Sequence, residues 1–504
     1  MALRTEAAAA QPEERVEVDV LIVGAGISGI GAAHHLKEQC PERSFAVLEA
    51  QDGYGGTWRT HRYPGIRSDS DLYTFGYRFK PWVGPPIATA EQIMRYLNEV
   101  VEDDELTPHV RFGHRIVAAE WSSDEQCWSV RALRAEDRAT VTIRCGFLWM
   151  CQGYYRHERG YTPAWPGMDR FAGRVVHPQE WPEDLDVTGK RVVVIGSGAT
   201  AATLVPAISP ACAHVTMLQR SPTFFIAREN VSEVADMLRL LEIPEEWIHE
   251  IVRRKNLYDL ELLYEISRDY PEFAREELLK PIRELLGDQL DVDRHFNPSY
   301  RPWQQRIAAL PDGDLFKEIH AGRVSVVTEQ IDEFVEEGIR LGSGEVLEAD
   351  LVVTATGFEV NVLGDVAFRV DGADVDFADT VTYRGMMFTG VPNMVWVFGY
   401  FRNSWTLRVD LIGDFVCRLL RHLDELGCVS ATPVLPASLS TMPRLEWVDP
   451  ENFNPGYLRR AMHLLPRQGD REPWRHQQDY WTERVELPAA DLDDGALVYA
   501  QRRA

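Results

Sequence analysis

An α/β fold built from two similar βαβ units, the second carrying a helical insert, is what this sequence of 504 residues predicts. Three observations lead there. Two glycine-rich turns, V-G-A-G-I-S-G at Val23–Gly29 and V-V-I-G-S-G-A-T-A at Val193–Ala201, each follow an apolar β-branched run and open a helix-spaced one. Each unit closes on a related small motif, C-Q-G-Y-Y at Cys151–Tyr155 and A-T-G-F-E at Ala355–Glu359, so the halves echo one another as diverged copies. Inside the second half, residues 230–297 change character: charged, nearly free of glycine, and helical in spacing.

In the first unit, Val18–Val23 reads as a strand, Ile27–Leu36 as a helix and Phe45–Leu48 as the next strand, closed by Glu49. This is the strand–turn–helix–strand–acid order of a Rossmann-like dinucleotide-binding domain. Gly24, Gly26 and Gly29 would let the backbone approach a pyrophosphate at the helix N-terminus, with the Ser28 hydroxyl beside it. Glu49 would accept from a ribose 2′-hydroxyl and repel a 2′-phosphate, which selects FAD or NAD over NADP. A chance glycine-rich turn is the bland alternative, and the placing of Glu49 weighs against it. Ile116–Trp121, Trp128–Leu133 and Val141–Arg144 read as short strands of a meander, before a buried strand at Phe147–Cys151.

In the second unit, Arg191–Ile195 leads into Gly196, Ser197, Gly198, Ala199, Thr200 and Ala201, with Ala201 in the third glycine's place. The following strand, Val215–Leu218, ends in Gln219-Arg220-Ser221 where the first unit has its acid. A guanidinium and a hydroxyl there suit a 2′-phosphate, so this ligand is expected to be NADPH. The insert carries apolar residues at helical spacing: Met237, Leu238, Leu240 and Leu241, then Ile251, then Leu260, Leu262 and Leu263. The expected division is 1–160 and 376–504 for the first, discontinuous domain with its tail, 161–229 and 298–375 for the second, and 230–297 for the insert. A helix is expected at Leu407–Leu426, stopped by Gly427.

Bulk properties narrow the function. The net charge of −25 argues against a nucleic-acid partner, whose phosphates need cationic contacts. No apolar run is long enough for a membrane span, and Met1–Arg15 is too polar for a signal peptide, reading instead as a disordered lead-in. Seven cysteines without a C-x-x-C pair fit reduced thiols in a cytoplasmic protein. Nothing suggests a metal site.

Two longer patterns go further. Phe171–Pro182, F-A-G-R-V-V-H-P-Q-E-W-P, has the spacing Phe-x-Gly-x-x-x-His-x-x-x-Trp-Pro. Gly55–Asp69, G-G-T-W-R-T-H-R-Y-P-G-I-R-S-D, has Gly-Gly-x-Trp-x-x-x-x-Tyr-Pro-Gly-x-x-x-Asp. Both resemble the signatures of the Baeyer–Villiger monooxygenases, flavoproteins that use NADPH and O2, at every fixed position. Four stretches, two overlapping these signatures and two elsewhere, V-T-M-L-Q-R-S-P-T and P-W-R-H-Q-Q-D-Y, are most similar to the ethionamide-activating subgroup, which oxidises thioamides and sulfides as well as ketones.

By that resemblance, Thr57, Trp58 and Asp69 line the flavin, Arg67, Ser68 and Asp69 face the nicotinamide side, and the backbone of Val117 holds the adenine. Taken singly, Trp58 and Tyr63 would be core aromatics and Asp69 a turn cap; the full pattern reverses that. The fingerprint residues Phe171, Gly173, His177 and Trp181 sit where the two domains meet, and His177 is either a structural residue or one acting through domain movement. Without a redox cysteine pair, electrons from FAD would pass to O2, giving a flavin C4a-peroxide. Keeping its anion calls for a cation that gives up no proton, which is Arg rather than Lys or His. In N-P-S-Y-R-P-W-Q-Q-R-I the resemblance puts that role on Arg306, oriented by Asp69, with Arg301 the weaker candidate. Many relatives carry Lys just before this Arg, on the cofactor phosphate; Gln305 stands there. The expected reaction is conversion of ketones to esters or lactones, with sulfide or thioamide oxidation beside it. A sulfur- or nitrogen-oxygenating enzyme and a flavoprotein redox sensor are the rivals.

Overall fold

A computed structural model describes residues 15–502. The lead-in expected over Met1–Arg15 therefore lies, except for Arg15, outside the described residues. The first sheet has five parallel strands ordered Val110–Arg111, Phe45–Leu48, Arg15–Val23, Thr140–Met150 and Met394–Trp396. On the edge away from Arg15–Val23, Thr140–Met150 serves two partners along its 11 residues: its first half pairs antiparallel with Cys127–Arg134, its end parallel with Met394–Trp396. The meander continues through His114–Ser122 to Ala367–Val370.

The second sheet is wholly parallel, ordered Val324–Thr328, His214–Gln219, Arg191–Ile195, Leu351–Thr354 and Arg174–Val176. Val192 to Ile195 are all buried, as befits a β-branched strand covered on both faces. The two sheets have the same order save for the last strand. The first borrows it from far downstream; the second takes Arg174–Val176, from the Phe171–Pro182 fingerprint, from upstream.

The echo extends to single atoms. Gly24 (φ +100°) and Gly196 (φ +127°) open the two turns, and a Cβ would fall 2.7 Å from the Cys151 carbonyl oxygen in one and 2.3 Å from that of Ala355 in the other. Only glycine fits where a turn grazes the end of the neighbouring strand in this backbone conformation.

Four helices, Glu233–Leu240, Glu245–Asp269, Pro271–Leu286 and Val292–Phe296, occupy the expected insert. Its apolar residues divide unexpectedly. Leu238, Leu260 and Leu263 pack inward, whereas Met237, Leu240, Leu241, Ile251 and Leu262 are exposed, so helical spacing there marks helices without marking a core. The expected boundary at 375/376 also shifts, because Ala367–Val370 hydrogen-bonds to His114–Ser122 in the first sheet. The helix Trp405–Leu426 ends at Gly427 in the left-handed conformation (φ 63°), its N–H on the Leu423 and Asp424 carbonyls. That helix packs closely on Ile27–Gln39: a Cβ on Gly413 would lie 2.4 Å from the His35 ring, and His35 Nε2 meets Asp410 Oδ1 at 2.9 Å. All seven cysteines are free. Among the described residues no helix is long and apolar enough to cross a membrane, and no cluster of ligands could hold a metal.

Candidate active site between the two sheets

The C-terminal ends of the parallel strands of both sheets open onto one cavity of about 580 Å³, where open α/β sheets bind ligands. Gly24, Gly26, Ser28 and Glu49 line it from the first turn, and Gly198, Ala199 and Thr200 from the second. The Gly55–Asp69 loop lies against the first turn backbone to backbone: Gly55 N–H donates to the Ala25 carbonyl at 3.0 Å, and a Cβ on Gly56 would sit 3.1 Å from Gly26 Cα. That packing brings Thr57, Trp58, Arg67, Ser68 and Asp69 to the cavity wall.

Glu49 is buried, and its two carboxylate oxygens accept from the backbone N–H of Ala25 (2.7 Å) and Gln51 (2.8 Å). The acid thus braces the glycine turn at the cavity wall. Ser28 Oγ accepts from the Trp405 indole N–H at 2.8 Å, a partner supplied by the last long helix. Thr57 Oγ1 is hydrogen-bonded to the Tyr155 hydroxyl, and Trp58 packs edge-on to Phe75.

Arg306 and Asp69 meet in the cavity. An Arg306 guanidinium nitrogen lies 3.5 Å from Asp69 Oδ2, with Tyr154 and Tyr457 alongside. Burial opposes the charge on Arg306, but the Asp69 carboxylate and the two tyrosines outweigh it and lift its pKa above the usual guanidinium value. Arg301 does not line the cavity, so of the two candidates Arg306 alone faces it. Gln305 does too, its amide 3.5 Å from Asn454 Oδ1.

Other expected residues have different partners. Arg67 spans the two units in a fork to Asp314 (2.5 and 3.2 Å) at the start of the helix Asp314–His320. The Ser68 hydroxyl is spent on Ser70, donating to its carbonyl and accepting from its N–H. Val117 sits at a bulge between Ile116 and Ala118, so its backbone is left out of the register while Ile116 lines the cavity. Gly29 packs inside the turn, where a Cβ would strike the Gly24 carbonyl oxygen at 1.7 Å. Gly196, Ser197 and Ala201 of the second turn do not line the cavity, and Ser197 Oγ is paired to Thr223 Oγ1 at 2.8 Å. Arg220 and Ser221 are exposed just after the strand His214–Gln219.

None of Phe171, Gly173, His177 and Trp181 lines the cavity. Phe171 packs on Phe334, and a Cβ on Gly173 would collide with the Phe171 ring and the Asp350 carbonyl (2.5 and 2.6 Å). Trp181 packs on the core of the second sheet. His177 accepts from Gln179 N–H on Nδ1 (3.1 Å) and donates from Nε2 to the Gly357 carbonyl (3.2 Å), which fixes its neutral tautomer. Burial lowers its pKa, with the Gly357 bond opposing. Gly160, in the crossing between the sheets, lies against the same ring: a Cβ there would be 1.9 Å from it. His177 therefore ties the crossing segment to the exit of the second sheet.

Trp405, Tyr457, Tyr154 and Gln152 line the cavity without having been singled out. Gln152 had a signal, its place one residue past the first exit strand; Trp405 and Tyr457 come from segments with no local motif. Both amide atoms of Gln152, His61 Nε2 and Arg67 Nε are buried without a partner at the cavity wall. Buried polar atoms of this kind are rare in native proteins unless a ligand satisfies them. Together with glycine cradles that a Cβ would fill, they fit two dinucleotides.

Comparison with known proteins agrees. A family model for flavin-binding monooxygenase-like proteins matches residues 79–255, and one for NAD(P)-binding Rossmann-like domains matches residues 22–99. The FAD-containing monooxygenase EthA of Mycolicibacterium smegmatis is 43% identical over 96% of this chain and 98% of its own. The probable FAD-binding monooxygenase AlmA of Acinetobacter baylyi is 43% identical over 96% of both chains. In fold, the chain is similar to a steroid monooxygenase bound to NADP (TM-score 0.76, 22% identity, covering 97% of this chain and 100% of that one). It is also similar to the cyclohexanone monooxygenase from Rhodococcus sp. Phi1 bound to NADP+ (TM-score 0.74, 20% identity, the same coverage). With full-length relatives at this identity and both glycine turns opening on one cavity, the chain belongs to the flavin-binding monooxygenase family.

Proposed function

We propose that the chain is an FAD- and NADPH-dependent monooxygenase of the Baeyer–Villiger type, which converts ketones to esters or lactones and also oxidises sulfides and thioamides. The observation that carries this reading is Arg306, held beside Asp69 on the wall of a cavity shared by both glycine turns. In balance, ketone, O2, NADPH and a proton give ester, NADP+ and water. When bound, FAD takes the hydride from NADPH and supplies the reduced flavin that activates O2.

The protein's part is binding, positioning and charge. Gly24, Gly26 and Glu49 would hold the FAD pyrophosphate and ribose, with Val117 at the adenine. Gly198, Ala199 and Thr200 would hold the NADPH pyrophosphate, and Arg220 and Ser221 its 2′-phosphate. Arg306 would stabilise negative charge on oxygen without delivering a proton, because a guanidinium holds its own so firmly. Asp69, itself unable to reach far from the loop, would set the direction of that guanidinium. His177 would act as a positioning residue, coupling the crossing segment to the second sheet.

Purified enzyme with NADPH and 18O2, given a panel of ketones and thioethers, tests the reading by product mass. Esters or lactones carrying one 18O atom support it. Sulfoxides alone would favour a sulfur-oxygenating enzyme, and hydrogen peroxide without oxygenated product would remove the oxygenase reading.

A further inference from the structure

Two arginines from distant segments are brought against one short loop, residues 451–454. The Glu451 carbonyl accepts from Gln304 Nε2 at 3.1 Å, and the Asn454 N–H donates to the Gln304 carbonyl at 3.0 Å. Between these contacts the Asn452 carbonyl accepts from Arg402 Nη2 at 3.2 Å, and Phe453 stacks on Phe401 with ring centroids 4.8 Å apart. Gln304 in turn closes a tight turn on Arg301, its N–H on the Arg301 carbonyl at 3.0 Å and its side-chain oxygen on the Arg301 N–H at 3.3 Å. The cavity borders both segments: Tyr300, Gln305 and Arg306 line it on either side of the turn, and Asn403 lines it next to Arg402.

These segments carry donors without acceptors. Arg301 Nη1, Arg402 Nε and the Trp303 indole nitrogen are buried, and none has a hydrogen-bond partner among the described residues. Neither arginine forms a salt bridge there, in a chain whose other arginines are extensively paired with acids. Arg402 lies instead over the Tyr264 ring, 4.2 Å from its centroid, and Tyr264 packs on the apolar cluster that contains Trp303. Trp303 is held at φ 65°, a backbone conformation that a bulky side chain adopts only under constraint. Guanidinium and indole nitrogens only donate, so no rearrangement among the three could satisfy one with another. The missing partner is an acceptor from outside the cluster. Burial lowers the Arg402 pKa; Tyr264 and Glu261 oppose this, and the charge of Arg301 adds to it.

We propose that Arg301, Trp303 and Arg402 form a carboxylate subsite beside the cavity, so that the preferred ketones carry a carboxylate at the far end of their carbon chain. This rests on the Baeyer–Villiger reading given above and adds a substrate class to it. A carboxylate brings acceptors only, and its two oxygens can each take a donor from a different guanidinium. The stretch Arg301–Arg306 then serves both ends of one substrate, with Arg306 at the reacting oxygen and Arg301 at the acid. In a chain of net charge −25, an anionic substrate needs a local pair of cations of this kind to approach.

The test gives the FAD-loaded enzyme, with NADPH and O2, straight-chain oxo acids of graded length and the methyl ester of each. The quantity read is kcat/KM for the acid over that for its ester within one variant, a ratio that a general loss of folding or activity leaves unmoved. At the matching length the wild type should favour the acid about 10-fold, the low end for hydrogen bonds to a charged group. Arg301→Gln and Arg402→Gln should each cut that ratio through the KM of the acid, the double variant should bring it near one, and Arg402→Lys should retain part of it. If the wild type oxygenates acid and ester alike at every length, the subsite is wrong and the Baeyer–Villiger reading stands. A preference for the acid that survives in the double variant would place the carboxylate elsewhere and overturn the proposal. So would a rise in the KM for NADPH with the ratio intact, since the cations would then serve a cofactor phosphate. No oxygenated product from any ketone would remove the reading and the proposal with it.

Discussion

Arg306 and Asp69 lie 237 positions apart in the chain, and their side chains meet at 3.5 Å. Asp69 ends the loop that packs on the first glycine turn. Arg306 comes just before Ala308–Pro311, a strand paired in parallel with Phe225–Arg228 beyond the second turn. Their contact joins the two halves of the molecule at the cavity. It is a long ion pair, and the Arg306 side chain keeps 39% of its accessibility. Tyr457 is its other side-chain partner at the cavity wall.

Arg306→Ala should still bind FAD and be reduced by NADPH at a broadly similar rate, because in the proposed role its charge acts after reduction. Oxygenation should fall about 10²–10³-fold, as on loss of one preorganised donor, with electrons appearing as hydrogen peroxide. Arg306→Lys keeps a charge but can give up a proton, so ketone oxidation should suffer more than sulfoxidation. Stopped-flow reduction with product analysis checks both, and normal ester yield in Arg306→Ala would remove this arginine from catalysis.

Arg220→Ala should raise the Michaelis constant for NADPH and leave that for NADH nearly unchanged. The lost ion pair to a 2′-phosphate would be worth about 1.5–3 kcal/mol. Steady-state kinetics with both cofactors decides, since an equal loss with each would mean that Arg220 does not touch the 2′-phosphate.

Glu483→Ala should be among the most destabilising single changes. Arg408 is fully buried on the helix Trp405–Leu426, where Glu483 accepts from it at 2.9 and 3.0 Å and the Arg384 and Phe398 carbonyls take its other donors. Removing one partner leaves a buried charge uncompensated, typically at about 3–5 kcal/mol. Replacing both, as Arg408→Met with Glu483→Leu, should recover much of that loss in denaturant titrations; an additive double variant would contradict the pairing.

Stability should fall on mild acidification. Burial, aided by the nearby Arg253, lowers the His249 pKa to about 4, and its Nδ1 accepts from the Trp82 N–H at 3.1 Å. The unfolded histidine titrates near 6.5, so between about 6.5 and 4 only the unfolded state takes up the proton. The contribution is therefore complete above pH 6.5 and lost as pH drops toward 4, amounting to at most about 3 kcal/mol. His249→Gln should flatten part of the stability profile between pH 7 and 4.5. An unchanged slope would mean that His249 is not held neutral in the fold.

The sequence alone determined the two units, the order strand–turn–helix–strand–acid, the insert's helices and the stop at Gly427. These are set by local rules: β-branched runs, helical spacing and glycines needed where a turn grazes a strand. Its resemblance to the Baeyer–Villiger monooxygenases also singled out Arg306 and Asp69 and led to the expectation that they pair, without showing the contact. Only the tertiary structure decided which side chains share the cavity. Trp405 on Ser28, Tyr457 beside Arg306, and Arg67 turned to Asp314 all join segments more than 150 residues apart, and spacing along a chain carries no record of such contacts. The insert shows the same limit from the other side. Its apolar residues at helical spacing announce helices, yet whether Leu240 or Leu263 is covered depends on what packs there, which no local pattern contains.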